Sequence, residues 1–364
     1  MRALRSAAIF CQVIDNFGDA GVCWRLARAL AAARLQVTLW INDLDRLSRL
    51  RPAIDAGLAS QLLDGFTLRR WSDEPVIEVD LVISAFGCRL PDSRLQAMAV
   101  AQPAPVWINL EYLSAETWVE GSHGLPSPHP RLPLVQHFFF PGFTPHTGGL
   151  LKEAGLDAAR AAFGAQERAV FLAQLGVTVP AGALLVSLFC YPSAPLAQLL
   201  AAMRAGPPVV CLVPEGVTPL VPPAGQARTE GALTLASVPF LEPDAYDRLL
   251  WSCDLNFVRG EDSAVRAQWA AQPFIWQFYT QAEGAHFDKL DAFLALYGEV
   301  PGNSAPGLTQ FWRAWNGDLA AVLDWQALVA ALPALKSGAR SWQSKLSSQQ
   351  DLTTGLIEFA REIG

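Results

Sequence analysis

Charge is scarce in this chain. Asp, Glu, Lys and Arg make up 17% of its 364 residues, against 51% hydrophobic residues. A chain of that composition has a large core to bury and is not disordered. The little charge present sums to −7, which argues against a general nucleic-acid or anionic-membrane binder and would suit a cationic partner at an acidic cleft. CxxC pairs are missing. The six cysteines, Cys11, Cys23, Cys88, Cys190, Cys211 and Cys253, are scattered and read as small buried hydrophobes in a reducing compartment. No run approaches the ~18 apolar residues of a membrane-spanning helix. Arg2 and Arg5 lead into a short apolar stretch that reaches Asp15 without a cleavage-site pattern, so the expectation is a cytoplasmic protein with no signal peptide. GxSxG, a P-loop and HExxH are absent, and no GxGxxG marks the first turn, which weighs against a dinucleotide-dependent dehydrogenase.

What is present is a repeating alternation. "AAIFCQVID" predicts a buried strand, "AGVCWRLARALAAA" a helix with Val22, Leu26 and Leu30 on one face and Arg25 and Arg28 off it, and "QVTLWIN" a second strand. "LDRLSRL" opens a second helix, and "DLVISAFG" and "APVWINLEYL" predict further strands. Residues 121–149, rich in Pro, Gly, His and Phe, predict a long irregular segment. A second series starts near residue 183: strands at "ALLVSLFCY", "PPVVCLVPEG", "LTLASVPFL", "DLNFVRG" and "PFIWQFY", helices at "APLAQLLAAMRA", "PDAYDRLLWSC" and "EDSAVRAQWAAQ". Helices run from there to the end, the last with Leu352, Leu356, Phe359 and Ile363 on one stripe. The alternation is that of parallel α/β sheets, and the length predicts two domains. The 12 Trp and 19 Phe predict extensive aromatic packing, mostly core, with some rings at a cleft. Two doubly wound halves facing a cleft describe the GT-B glycosyltransferases, and also several binding proteins and dehydrogenases.

Two motifs fall where strands end, the place at which such sheets hold ligands. In "VIDNFGDAG" two carboxylates, Asp15 and Asp19, occupy the turn after the first strand. Either acid could cap the following helix. As a pair they would repel a phosphate and receive a cationic or hydroxyl-bearing acceptor, with a carboxylate orienting it or acting as general base. In "FVRGEDSAVRAQW", Arg259 and Gly260 end a strand, and Glu261, Asp262 and Ser263 open a helix. A helix N-terminus with an arginine fork beside it suits a diphosphate, leaving Glu261 for sugar or ribose hydroxyls. A plain helix cap with a surface Arg–Glu pair is the alternative. The DxD of Asp43 and Asp45 sits where a strand meets a helix and predicts a cap rather than a metal site. His123, His129, His137 and His146 are spaced too irregularly for a metal centre.

Together, "IFCQVIDNFGDAGVCWRLARAL", "GLPSPHPRLPL", "FFFPGF", "SLFCYPS" and "VPFLEPDAYDRLLWSCDLNFVRGEDSAVRAQWAAQPFIWQFY" resemble the bacterial elongation factor P arginine rhamnosyltransferase family, EarP, along nearly the whole chain. The resemblance implies a GT-B fold of two Rossmann-like domains and an inverting transfer of L-rhamnose from dTDP-β-L-rhamnose to an arginine of elongation factor P, with no metal and no cofactor. It implies an acceptor domain over residues 1–172, a nucleotide-sugar domain over 173–348 and a terminal helix, 349–364, returning to the first domain. The family's acidic pair falls on Asp15 and Asp19, and its RGEDS element on Arg259 to Ser263. Its nucleotide-holding aromatics fall on Phe189, Tyr191, Phe240 and Tyr279. Tyr191 and Tyr279 would then bond the diphosphate or sugar, and Phe240 would lie near the thymine. Asp19 would be the base, Asp15 would orient the guanidinium, and Glu261 would hold the sugar or help with the arginine. Pro243 departs from the pattern, standing where a glutamine is expected beside the base. Two other readings stay open: a GT-B enzyme acting on a glycan, and a non-catalytic module that binds a translation factor.

Overall fold

The computed structural model describes residues 3–14, 17–72, 78–223 and 225–364. Two compact units form, Met1–Ala154 with Leu346–Gly364, and Gly155–Lys345.

In the first unit the chain runs β1 (Ser6–Cys11), α1 (Gly18–Ala32), β2 (Gln36–Ile41), α2 (Leu44–Leu50), β3 (Ser60–Leu63), β4 (Phe66–Arg70), β5 (Leu81–Ala85), α3 (Asp92–Val100), β6 (Val106–Leu110), α4 (Trp118–Ser122), β7 (Pro126–Pro128) and β8 (Val135–Phe139). They build one eight-stranded sheet in the order β3-β4-β2-β1-β5-β6-β8-β7. The edge strands β3 and β7 pair antiparallel, and the other six are parallel. Numbered along the chain, those six follow the 3-2-1-4-5-6 order of a doubly wound sheet, whose direction of winding reverses between β1 and β5. Both faces are covered, so β1 alternates between two cores rather than between core and water. Ala7, Ile9 and Cys11 pack with α1, while Ala8 and Phe10 pack with Trp40, Leu95, Met98 and Trp107.

One sequence expectation changes here. The 121–149 segment is not wholly irregular, because β8 lies parallel to β6 with Ile108 opposite His137. Its proline-rich partner β7 is at the sheet edge, where a missing N–H costs no ladder bond. Arg25, off the face of Val22 and Leu26, is buried all the same, and its Nη1 lies 2.8 Å from Glu153 Oε1. Arg28 reaches the same oxygen at 3.6 Å. The C-terminal helix, Leu352–Ile363, is capped by Asp351, whose Oδ1 accepts from the backbone N–H groups of Thr353 and Thr354 at 3.0 and 3.1 Å. Its Leu352, Leu356, Ile357 and Ala360 enter the core that holds α1.

The second unit comprises α5 (Leu156–Ala162), α6 (Ala165–Gln174), β9 (Leu184–Leu188), α7 (Leu196–Arg204), β10 (Val209–Pro214), β11 (Ala227–Glu230), β12 (Leu233–Val238), α8 (Pro243–Ser252), β13 (Leu255–Arg259), α9 (Asp262–Ala270), β14 (Phe274–Gln277), α10 (Ala285–Gly298), α11 (Leu308–Trp315) and most of α12 (Trp325–Ser347). The sheet order is β11-β12-β10-β9-β13-β14. Only β11 is antiparallel, and the rest follow 3-2-1-4-5 with the reversal between β9 and β13. Much of the tryptophan is spent on core. Trp312 and Trp342 join Phe274, Phe293 and Tyr297 in one aromatic cluster under β14.

Candidate active site

The reversal point of the second sheet places three turns side by side: the one after β9, the one after β13, and the end of β14. Arg259 is the last residue of β13. Its guanidinium carbon lies 4.1 Å above the Phe189 ring centroid and 4.7 Å from that of Tyr191, and its Nη1 donates to the Cys190 carbonyl at 2.8 Å. One arginine thus holds the whole Phe189–Tyr191 turn, through stacking and a hydrogen bond. Gly260, at φ +58°, swings the chain from strand into helix. Glu261 occupies the cap position of α9, yet its side chain makes no capping bond. Ser263, the second residue of α9, bonds back to the end of β13 rather than to the helix. Its Oγ accepts from Arg259 N at 3.0 Å, and its hydroxyl donates to the Arg259 carbonyl, closing the turn on itself. Asp262 opens the helix.

The aromatic residues expected here are gathered in two pairs. Phe189 meets Phe240 edge to face at 6.3 Å, and Tyr191 meets Tyr279 at 5.6 Å and 82°. Tyr279 is 53% exposed. Two further residues escaped the sequence reading. Tyr246, on α8, presents its ring to Phe189 at 6.2 Å, and burial holds its hydroxyl above the ordinary tyrosine range, so it stays protonated. Gln277 accepts from Tyr191 N at 2.7 Å. The signal for Gln277 was one polar residue at the end of an otherwise apolar strand. For Tyr246 it was its position three residues past the helix-opening Pro243. Pro243 itself is the first residue of α8, a position where a helix needs no N–H.

In the first unit, Asp19 is the second residue of α1 and is 2% exposed. The helix begins at Gly18, ahead of the Ala20 start read from the sequence, so Asp19 lies inside the first turn. Its Oδ2 accepts from Ile14 N at 2.8 Å, tying the carboxylate to the loop that leaves β1. Asp15 lies outside the described residues. At the neighbouring strand ends, the Phe86 ring stacks on Tyr112 at 4.6 Å and 18°. Phe86 itself has φ +58°, in the left-handed region that a phenylalanine seldom occupies.

The remaining candidates are structural. Asp43 caps α2 through Arg46 N at 2.9 Å, as the sequence predicts. His123 Nδ1 accepts from Phe140 N at 3.1 Å, and His129 Nδ1 from Leu132 N at 3.1 Å. Burial lowers the pKa of His123 and of His137. All six cysteines are free and buried, and burial pushes the Cys190 thiol up to about 11. Among the described residues, no group of three or more His, Cys, Asp and Glu could hold a metal ion, and no helix is long and apolar enough to cross a membrane.

Two doubly wound sheets, with Arg259, the first turn of α9 and aromatic rings at the reversal point of the second, are the architecture of a GT-B glycosyltransferase. The crystal structure of the glycotransferase of kitacinnamycin shares the fold, with a TM-score of 0.52 over 98% of each chain at 12% identity. The particular family follows from closer matches. The profile of EarP, the Elongation-Factor P (EF-P) rhamnosyltransferase, matches residues 7–361, and the chain belongs to that family. A protein-arginine rhamnosyltransferase of Pseudomonas putida is 47% identical, over 97% of this chain and 98% of its own. A structure solved as the basis for EarP-mediated arginine glycosylation of translation elongation factor EF-P has a TM-score of 0.67 at 35% identity, covering 98% of this chain and 99% of that one.

Proposed function

We propose that this enzyme works in the cytoplasm and transfers L-rhamnose from dTDP-β-L-rhamnose to one arginine guanidinium of elongation factor P, with inversion to an α-linkage. The observation that carries the donor half is the Arg259 turn. A guanidinium seated on two aromatic rings beside a helix N-terminus meets the needs of a nucleoside diphosphate: positive charge and N–H donors for phosphate, ring faces for the base. Arg259 has five N–H donors and spends one of them on Cys190. In this reading the base lies against Phe189 and Phe240, with Tyr246 beside them. The diphosphate meets Arg259 and the first amides of α9, including those of Asp262 and Ser263. Tyr191 and Tyr279 reach the diphosphate or sugar, and Glu261 holds sugar hydroxyls.

The acceptor half rests on Asp19. A guanidinium has a pKa of roughly 12.5–13.8 and delocalised lone pairs, so a carboxylate cannot deprotonate it in advance. The proton moves as the bond forms. An arginine nitrogen attacks the anomeric carbon, the bond from that carbon to the diphosphate oxygen breaks with its electron pair leaving on dTDP, and the nitrogen's proton passes to Asp19. Asp15 would pair with the guanidinium and keep it aligned. Arg259 and the α9 amides receive the charge that appears on the departing diphosphate. The reaction written this way calls for no metal, and the assay below run with and without a chelator of divalent cations tests that.

The experiment is intact mass. Unmodified elongation factor P is incubated with the enzyme and dTDP-rhamnose, then weighed. A gain of one deoxyhexose located on an arginine is the expected result. No gain, with dTDP shown to bind by calorimetry, would point to another acceptor. No gain and no binding would overturn the reading.

A further inference from the structure

Gln277 ends β14 and is 2% exposed. A buried primary amide costs folding energy unless its donor and its acceptor are both matched. Here both are matched, and both partners lie in one turn two strands away. Oε1 accepts from Tyr191 N at 2.7 Å, and Nε2 donates to Ser193 Oγ at 3.2 Å. The backbone carbonyl of Gln277 also accepts from Gly260 N at 3.3 Å. Its own position is fixed from behind by Asn316, which donates to the Trp276 carbonyl at 2.9 Å and accepts from Phe278 N at 2.8 Å. The amide is therefore a fixed strut. It spans from the end of β14 to the turn that carries Tyr191, the ring against which Arg259 rests at 4.7 Å.

We infer that Gln277 is a positioning residue for the nucleotide-sugar donor, setting where the Tyr191 turn, and through it the Arg259 guanidinium, stands relative to the diphosphate. This rests on the donor reading given above. A strut serving only the fold would find its partners within the sheet or the helices beneath it. These partners are the backbone and side chain of a turn that also meets Arg259, Tyr279, Phe240 and Tyr246, the residues of the donor reading. A neutral amide also fits the place. A glutamate would accept equally well from Tyr191 N but would set a negative charge near two phosphates.

The test compares the full-length enzyme with Gln277→Met, which keeps the volume and removes both hydrogen bonds, and with Ser193→Ala, which removes the weaker one together with the 3.5 Å contact between the Ser193 and Thr280 hydroxyls. dTDP affinity is measured by calorimetry, and KM is measured separately for donor and acceptor. Gln277→Met removes the bond from Tyr191 N to Oε1, so dTDP affinity should fall about tenfold, with a smaller loss in Ser193→Ala. Donor KM should rise in step while the KM for elongation factor P stays unchanged. A general loss of folded protein would lower the active fraction without that split. Should Gln277→Met fail to fold, Ser193→Ala carries the test alone. Wild-type dTDP affinity retained within twofold in the folded variants, or donor and acceptor KM rising together, would overturn the inference. Failure of the wild-type enzyme to bind dTDP would remove the donor reading, and this inference with it.

Discussion

Arg266 and Asp247 face each other as two parallel forks, Nε to Oδ1 at 2.7 Å and Nη2 to Oδ2 at 2.6 Å, with both side chains buried. The pair bolts α9, whose first turn holds Glu261 to Ser263, to α8, which carries Tyr246 next door to Asp247. Removing one partner leaves a buried charge uncompensated, a loss of about 3–5 kcal/mol. Arg266→Met should therefore lower the unfolding free energy by that order. Arg266→Met with Asp247→Leu should recover much of it, because no charge remains to be buried. Denaturant titration of both variants measures the difference, and equal loss in the two would show that the ion pair itself, rather than the orphaned charge, sets the stability.

Arg259→Lys keeps the charge and loses the plane. A lysine ammonium cannot lie flat on both Phe189 and Tyr191 while bonding the Cys190 carbonyl. Charge-assisted hydrogen bonds are worth about 1.5–3 kcal/mol each, so dTDP affinity should drop about ten- to a hundredfold. Titration calorimetry with dTDP reads this directly. Unchanged affinity would place the diphosphate elsewhere.

How much of this was legible beforehand depended on the kind of signal. The parallel strands announced themselves, since burial on both faces turns β1, β5 and β6 into continuous apolar runs. The helix α2 starts at Leu44, where its sequence pattern opens it. β8 is hidden because Pro and Gly around it read as loop, and its pairing with β6 and β7 is what makes "VQHFF" a strand. Helix periodicity puts Arg25 off the apolar face but cannot show that Glu153 comes to meet it. The RGEDS turn was visible as a motif. What it takes hold of, a carbonyl and two rings 69 or so residues away in sequence, was not. Gln277 and Tyr246 leave only weak marks in the sequence, a polar strand end and a place in the first turn of a helix, because their partners are tertiary.

His123 ties stability to pH. Its Nδ1 accepts from Phe140 N, which requires that nitrogen to be unprotonated, and burial holds its pKa below the ordinary value of 6.5. The unfolded chain thus binds the proton more readily than the folded one. The contribution is complete above pH 6.5 and is lost as pH falls toward the folded pKa. His123→Asn offers an oxygen acceptor for Phe140 N and cannot titrate there. The fall in melting temperature between pH 7.5 and 5 should accordingly be smaller in His123→Asn than in wild type, with His137 accounting for part of what remains. An identical fall in both proteins would exclude His123 as a source.

Asp19→Asn separates chemistry from binding. The asparagine has nearly the same volume, and its Oδ1 can accept from Ile14 N as the Asp19 carboxylate does at 2.8 Å, so the loop after β1 should keep its shape. What disappears is the ability to take a proton. A positioned general base contributes about 10²–10⁴-fold, and rhamnose transfer should slow by that order or vanish from an intact-mass assay. dTDP affinity should stay within about twofold of wild type, because the donor reading rests on residues of the other unit and a side chain serving only the transferring proton adds nothing to ground-state binding. Melting temperature should change little, since the hydrogen bond is conserved in kind. Rate and donor affinity falling together would show that Asp19 shapes the donor site. A rate that survives would assign the base to another carboxylate, with Asp15 as the next to test.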